Sequence, residues 1–134
     1  MFTGIIETIG ILDSISKRGN NLDITIMSSI SKDLQPDKSV SHNGVCLTIT
    51  KSNKISHSVT LVNETLNKSN FLTIKKGSII NLERSLLVTD RMDGHFVQGH
   101  VDDVARCIEI IDNKKAKILG SMEPSIQSTS STEK

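Results

Sequence analysis

Asp93-Gly94-His95-Phe96-Val97-Gln98-Gly99-His100-Val101-Asp102 is the stretch at which the chain starts over. With residues 1–15 laid on 96–110, an offset of 95, Gly4 falls on Gly99, Ile6 on Val101, Glu7 on Asp102, Ile9 on Val104 and Ile15 on Ile110. A glycine, an acid and an apolar alternation recur together. The separation is too long for a stacked array, whose periods run to roughly 50 residues, and it points to a domain used twice. About 35 residues follow Gly99, so the second copy is expected to be opened and not completed.

Bulk properties narrow the class. A chain of 134 residues holds one domain with a real core. With 36% apolar residues and a formal net charge of +1, it reads as a soluble globular protein. There is no basic excess to attract nucleic acid and no charge block that reads as a tail. No apolar run approaches the roughly 18 residues of a membrane span. Thr3, Glu7 and Thr8 interrupt the start, and the first lysine is Lys17, which is not the pattern of a secretory leader. The expected location is the cytoplasm. Cys46 and Cys107 stand far apart in strand-like contexts and read as reduced thiols. Aromatic residues make up 2% of the chain, so a flat ligand would be held by aliphatic walls and hydrogen bonds.

Moving outward from the repeat, the chain reads as short strands between turns. Residues 2–11 are rich in β-branched side chains, with Gly4 marking a bulge or a close backbone approach. Residues 22–26 alternate with period two, placing Leu22, Ile24 and Ile26 on a core face. Residues 31–35 suit a helical turn stopped by Pro36. Asn43-Gly44 is the strongest turn signal and leads into a strand over 45–50. Ile55, Val59 and Leu61 suit another strand over 55–62. Residues 64–68 suit a short helix with Asn63 as N-cap, and 78–86 a further strand. Such spacing with scarcely any helix predicts an all-β fold, a closed or nearly closed antiparallel barrel over residues 1–93. Residues 94–119 would be the opening hairpin of an incomplete second barrel. Residues 120–134 are polar and expected to be disordered.

Each candidate for chemistry is weak alone. His42, Cys46 and His57 lack the close cysteines or acids that would complete a metal shell, so no metal is expected. Cys46 in an apolar strand is more often a buried small hydrophobe than a nucleophile. A hydrogen-bonded structural role is the ordinary fate of His95 and His100. No Gly-x-Ser-x-Gly elbow supports a serine triad, and no aromatic platform supports single-stranded nucleic acid.

Their combination says more. The segments 1–7, 40–50 with Asn43-Gly44-Val45-Cys46-Leu47-Thr48, Glu64-Thr65-Leu66, Asn81-Leu82-Glu83-Arg84, and Gly94-His95 through Gly99-His100-Val101-Asp102 occur in one order at set separations. Together they resemble the riboflavin synthase family of lumazine-binding barrels, over residues 1 to about 111. The resemblance implies a six-stranded antiparallel Greek-key barrel followed by the start of a second. It implies conversion of two molecules of 6,7-dimethyl-8-ribityllumazine into riboflavin and 5-amino-6-ribitylaminouracil, with no cofactor. Substrate-contacting positions carried over are Gly4, Ile5, Ile6, Cys46, Leu47, Thr48, Thr60, Leu61, Val62, Asn63, Glu64, Thr65, Gly99, His100 and Val101. Ser39, Cys46 and His100 are the side chains implied to polarise the ring or move a proton, imidazole being the group that changes charge near neutral pH. The alternative within the family is a barrel that binds lumazine or flavin without reacting. The family assembles as a trimer, and the apolar residues of the second-copy hairpin lead to the expectation of a homo-oligomer here, a trimer or a dimer.

Overall fold

The computed structural model describes residues 1–113, 116–119 and 122–124, in two compact units, Met1–Val101 and Asp102–Lys134. In the first, six strands close into an antiparallel barrel: β1 Thr8–Arg18, β2 Asn21–Met27, β3 Ser39–His42, β4 Val45–Ser52, β5 Ser56–Leu61 and β6 Ile79–Arg84. The neighbour order β1-β2-β5-β4-β3-β6 sets the β3–β4 hairpin between β5 and β6, the Greek-key arrangement the family resemblance implies.

Period-two alternation places the core. Ile24 and Ile26 of β2, Val45, Leu47 and Ile49 of β4, and Val59 and Leu61 of β5 point inward, each less than 9% exposed. Each fully buried aliphatic side chain contributes about 1.5–3 kcal/mol relative to exposure. A register shift between Leu12 and Ser14 bends β1, so that residues 8–11 pair with β6 while 11–18 pair with β2. At Gly10 the strands come so close that a Cβ would lie 2.4 Å from the Ile26 side chain. The β3–β4 turn is Asn43-Gly44, both left-handed with φ 50° and 86°, the geometry of a two-residue type I′ hairpin.

Three local expectations need correction. The first strand starts at Thr8, not Phe2. The carboxylate of Glu83 accepts from the Thr3 amide and hydroxyl at 2.6 Å each and from the Gly4 amide at 3.1 Å, and with Gly4 at φ +82° the chain arches before it joins the sheet. Ile55 is 68% exposed, because Asn53 accepts the Ile55 and Ser56 amides in a tight turn and the inward position of β5 goes to His57. Helix α1, Asn63–Lys68, is preceded by Val62 at the N-cap, so Asn63 is its first residue and supplies no side-chain cap.

Residues 94–101 pack on this barrel. Phe2 and Val97 form an antiparallel bridge, exchanging backbone hydrogen bonds of 2.8 and 3.0 Å, and the His95 amide donates to Thr3 O at 3.0 Å. Phe2 is 1% exposed.

In the second unit β7 (Ala105–Cys107) pairs with β10 (Met122–Pro124), and β8 (Ile110–Asn113) with β9 (Ala116–Leu119). Of the hairpin expected within residues 94–119, Ile110–Asn113 pairs with Ala116–Leu119, whereas Ala105–Cys107 pairs with Met122–Pro124; residues 114–115 lie outside the described residues. Of the segment expected to be disordered, Met122–Pro124 is a strand and the remainder lies outside the described residues. Among the described residues no helix is long and apolar enough to cross a membrane.

Candidate functional site

The outward face of the β3–β4 hairpin gathers several of the expected residues. Alternation sends Val45, Leu47 and Ile49 into the core, so Cys46 and Thr48 face out. Across the ladder Ser39 is the partner of Thr48 and Ser41 of Cys46, which sets Ser39 on the same face, diagonal to Cys46. On the far side of β4, pairing with β5 runs only from Ile49–Val59 to Ser52–His57. Beyond that point the Cys46 amide donates instead to Gly99 O at 2.8 Å. Residues 99–101 are thereby laid against the strand that carries Cys46 and Thr48.

Gly99 is fitted to this place. Its φ is +81°, and a Cβ would stand 2.8 Å from Cys46 Cβ, 3.0 Å from Cys46 N and 3.2 Å from the Phe2 ring. Val101 packs at the edge of the core, and His100 lines a hollow of about 430 Å³ with Met1 and residues 96–99. Cys46 is a free, half-buried thiol, and Cys107 of the second unit is free and exposed.

Other expected positions are placed differently. Thr60 is half-buried and its hydroxyl donates to Asp23 at 2.5 Å, while Leu61 is fully buried, as Leu47 nearly is. Val62 is 50% exposed, and Glu64 is tied to Lys68 at 2.8 Å. The Lys68 ammonium lowers the Glu64 pKa. Gly4, Ile5 and Ile6 are exposed on the N-terminal arch, where Gly4 faces the Val97 side chain. Ile5 and Ser39 line a cleft of about 680 Å³, together with Glu7, Lys38, Glu83, Arg84 and Arg91, so Ser39 borders both this cleft and the outward face of the hairpin. Arg84 there donates to both Glu7 oxygens at 2.6–3.1 Å, and that guanidinium holds the Glu7 carboxyl below its ordinary value.

Sequence reasoning set His42 and His57 beside Cys46 and rejected a metal. The structure sends Cys46 outward and brings the two rings together inside the barrel, Nε2 to Nε2 at 2.9 Å. His42 Nδ1 reaches Val40 O at 3.0 Å, His57 Nδ1 reaches Ser31 Oγ at 2.8 Å, and Ser31 Oγ meets Ser28 Oγ at 2.9 Å. Burial pushes His42 down to about 3, with the charge of His57 adding to it, and burial pushes His57 down to about 4. Among the described residues no group of three or more His, Cys, Asp or Glu could hold a metal ion. The signal in the sequence was parity: residues 40 and 42, and 57, 59 and 61, share inward positions once the strands are assigned. The Glu83 clamp on residues 3–4 and the Glu7–Arg84 pair leave no local pattern, since they join positions almost 80 residues apart.

Comparison with known proteins fits this geometry. The lumazine binding domain pattern matches residues 3–85. Riboflavin synthase of Bacillus subtilis (strain 168) is 38% identical over 131 residues, 96% of this chain and 61% of the relative. That of Photobacterium phosphoreum is 39% identical over 111 residues, 81% and 51% of the two chains. That of Saccharomyces cerevisiae is 40% identical over 116 residues, 81% and 49%. The chain thus spans about half to three fifths of the length of these curated relatives. Among solved structures, LumP complexed with 6,7-dimethyl-8-(1'-D-ribityl) lumazine superposes with a TM-score of 0.75 at 22% identity, covering 84% of this chain and 63% of LumP. LumP complexed with riboflavin gives 0.74 at 22% identity, covering 85% and 62%. The matched pattern spans most of the closed barrel, from the Thr3 arch to the end of β6, and the chain belongs to the lumazine-binding domain family.

Proposed function

We propose that this chain is the lumazine-binding barrel of a riboflavin synthase acting in the cytoplasm, and that it holds 6,7-dimethyl-8-ribityllumazine, and riboflavin as product, on the outer face of β3 and β4. The observation that carries the reading is the Cys46 N–H to Gly99 O bond, which joins the two segments, 46–48 and 99–101, that the resemblance names as walls of the ligand site. Thr48 and strand backbone groups meet the polar edge of the ring system. Glu64 and Thr65 are the side chains for the ribityl hydroxyls, while Thr60 shares its hydroxyl with Asp23. Leu47 and Leu61 contribute through their backbone, their side chains being in the core.

The reaction asks little of the protein. One lumazine loses a proton from its C7 methyl, a second accepts attack, and a four-carbon unit passes between them. Holding two flat rings face to face supplies proximity and orientation, and donors placed where ring charge develops supply the rest. Ser39, Cys46 and His100 are the side chains for that role. Two barrels are needed to face two rings. The exposed Ile110 and Ile111, at 62% and 43%, support a homo-oligomer, which sedimentation at rising concentration reads directly.

The test is titration of the purified chain with 6,7-dimethyl-8-ribityllumazine, following both its fluorescence and the appearance of riboflavin. Saturable quenching is expected, riboflavin formed with it would mean that barrels of different chains assemble a working site, and Thr48→Ala should weaken binding roughly tenfold, the loss of about one hydrogen bond. Quenching without product supports the binding barrel without catalysis. Absence of quenching overturns the proposal.

A further inference from the structure

Among the described residues the buried polar side chains are Ser31, Ser41, His42, His57 and Ser69, and of these His42 and His57 are the two rings that point into the barrel, at 0% and 1% exposure. Their hydrogen bonds have a direction. Val40 O can only accept, so His42 Nδ1 carries a hydrogen. In the neutral pair His42 Nε2 is then a bare acceptor, His57 Nε2–H donates to it, and His57 Nδ1 accepts from the Ser31 hydroxyl. Ser28 completes the chain by donating to Ser31. The pair joins β3 to β5 from inside the barrel, behind β4, and to the turn at Ser31–Asp33.

One added proton can be accommodated by reversing every donor from His42 to Ser28, but it leaves a full charge in the core. A second sets N–H against N–H at 2.9 Å. Nothing inward-facing compensates. The buried side chains of the neighbouring strands are Leu12 of β1, Ile24 and Ile26 of β2, Val45, Leu47 and Ile49 of β4, and Ile80 and Leu82 of β6, all apolar. The charged residues of the packed elements, Asp13, Lys17 and Arg18 on β1, Asp23 on β2, Lys51 on β4, Glu83 and Arg84 on β6, and Lys32 and Asp33 on the turn, are half-buried or exposed, none of them in the core.

We propose that His42 and His57 are positioning residues for the β3–β4 ligand hairpin, a latch that holds it while the pair is neutral and releases it on acidification. His42 is the last residue of β3, directly before the Asn43-Gly44 turn. That turn is clamped to β6 by two hydrogen bonds between Asn43 and Asn81, at 2.8 and 2.9 Å. From there the chain runs into Cys46 and Thr48. The link to a ligand rests on the function proposed above, whereas the latch itself is tested without one.

Both rings bind protons more weakly folded than unfolded. The unfolded chain therefore gains protons first as the pH drops below about 6.5, and stability falls toward acid. The unfolding equilibrium constant should rise between tenfold and a hundredfold from pH 6 to pH 5, about tenfold for each histidine that stays neutral in the fold. Urea unfolding of the full chain at the two pH values measures this, and His42→Leu with His57→Leu should remove most of the rise. Long-range nitrogen–proton NMR of the unmutated chain at pH 7 should find His42 protonated at Nδ1 and His57 at Nε2. Ser31→Ala, which leaves both rings in place, should shift the amide signals of Cys46 and Thr48. Opposite tautomers, rings titrating near 6.5 in the folded chain, or Cys46 and Thr48 signals indifferent to Ser31→Ala would overturn the latch. A chain that passes these tests and fails to bind 6,7-dimethyl-8-ribityllumazine keeps the latch and loses the proposed function.

Discussion

Gly4 and Gly99 hold the same place in the two copies of the repeated segment and adopt the same backbone, φ +82° and +81°. Their surroundings differ. Gly4 is exposed, its nearest outside neighbour the Val97 side chain at 3.4 Å from an added Cβ, whereas Gly99 is closed in by Cys46 and Phe2. The partners are exchanged: Gly4 faces Val97 and Gly99 faces Phe2, and Phe2 and Val97, counterparts at the offset of 95, bridge each other. Past these glycines the copies part. Ile15 continues in an 11-residue strand opposite Ile24, while its counterpart Ile110 begins a four-residue strand opposite Leu119. The repeat therefore sets local backbone, and burial is set by which strand each copy meets.

The strongest way to break this comparison is at its aromatic end. Phe2→Ala should cost about 3–5 kcal/mol in denaturant unfolding, because it empties a fully buried site, while Val97→Ala at 37% exposure should cost about 1 kcal/mol. Equal losses would mean that the two sides of the bridge are equivalent. Next come the glycines. Gly99→Ala adds a steric clash to left-handed strain and should cost about 2–4 kcal/mol, and Gly4→Ala the strain alone, about 1–2 kcal/mol. Thermal unfolding ranks the two, and a larger loss at Gly4 would contradict the packing described.

Smaller effects sharpen the difference between the arch and its counterpart. Glu83→Gln weakens the anchor of Thr3 and Gly4 and should cost about 1–2 kcal/mol, with faster amide exchange at residues 3–5 and little change at 99–101. Glu7→Gln should cost about 0.5–1 kcal/mol, since a third of the Glu7 side chain meets solvent. The folded Glu7 pKa is lowered, so the contribution of this pair is present above the ordinary carboxylate value and is lost as pH falls through the folded one. Acid unfolding of Glu7→Gln should accordingly be less steep below pH 4.5.

Much of the barrel was legible in the residues. Alternation at Leu22, Ile24 and Ile26 and the Asn43-Gly44 turn are local signals, and they specify β2 and the β3–β4 hairpin almost to the residue. Strand order was legible only through the family resemblance, and the start of β1 was not legible, because the N-terminal arch is held by Glu83 at a separation of 80 residues. The candidate ligand face was readable only as a family resemblance. What brings Cys46 to Gly99 is the stop in the β4–β5 ladder at Ile49, a consequence of register that no short pattern announces. The histidine pair was visible as two residue types but not as a pair, since β4 lies between their strands.

The central claim is that the ligand sits on β3 and β4 beside residues 99–101, and amide chemical-shift mapping with 6,7-dimethyl-8-ribityllumazine tests it most directly. The account predicts the largest changes at Cys46, Thr48, Gly99, His100 and Val101, with Lys38 and Arg91 in the 680 Å³ cleft that Ser39 borders little affected. Changes concentrated on that cleft, with Cys46 and Gly99 unmoved, would contradict it.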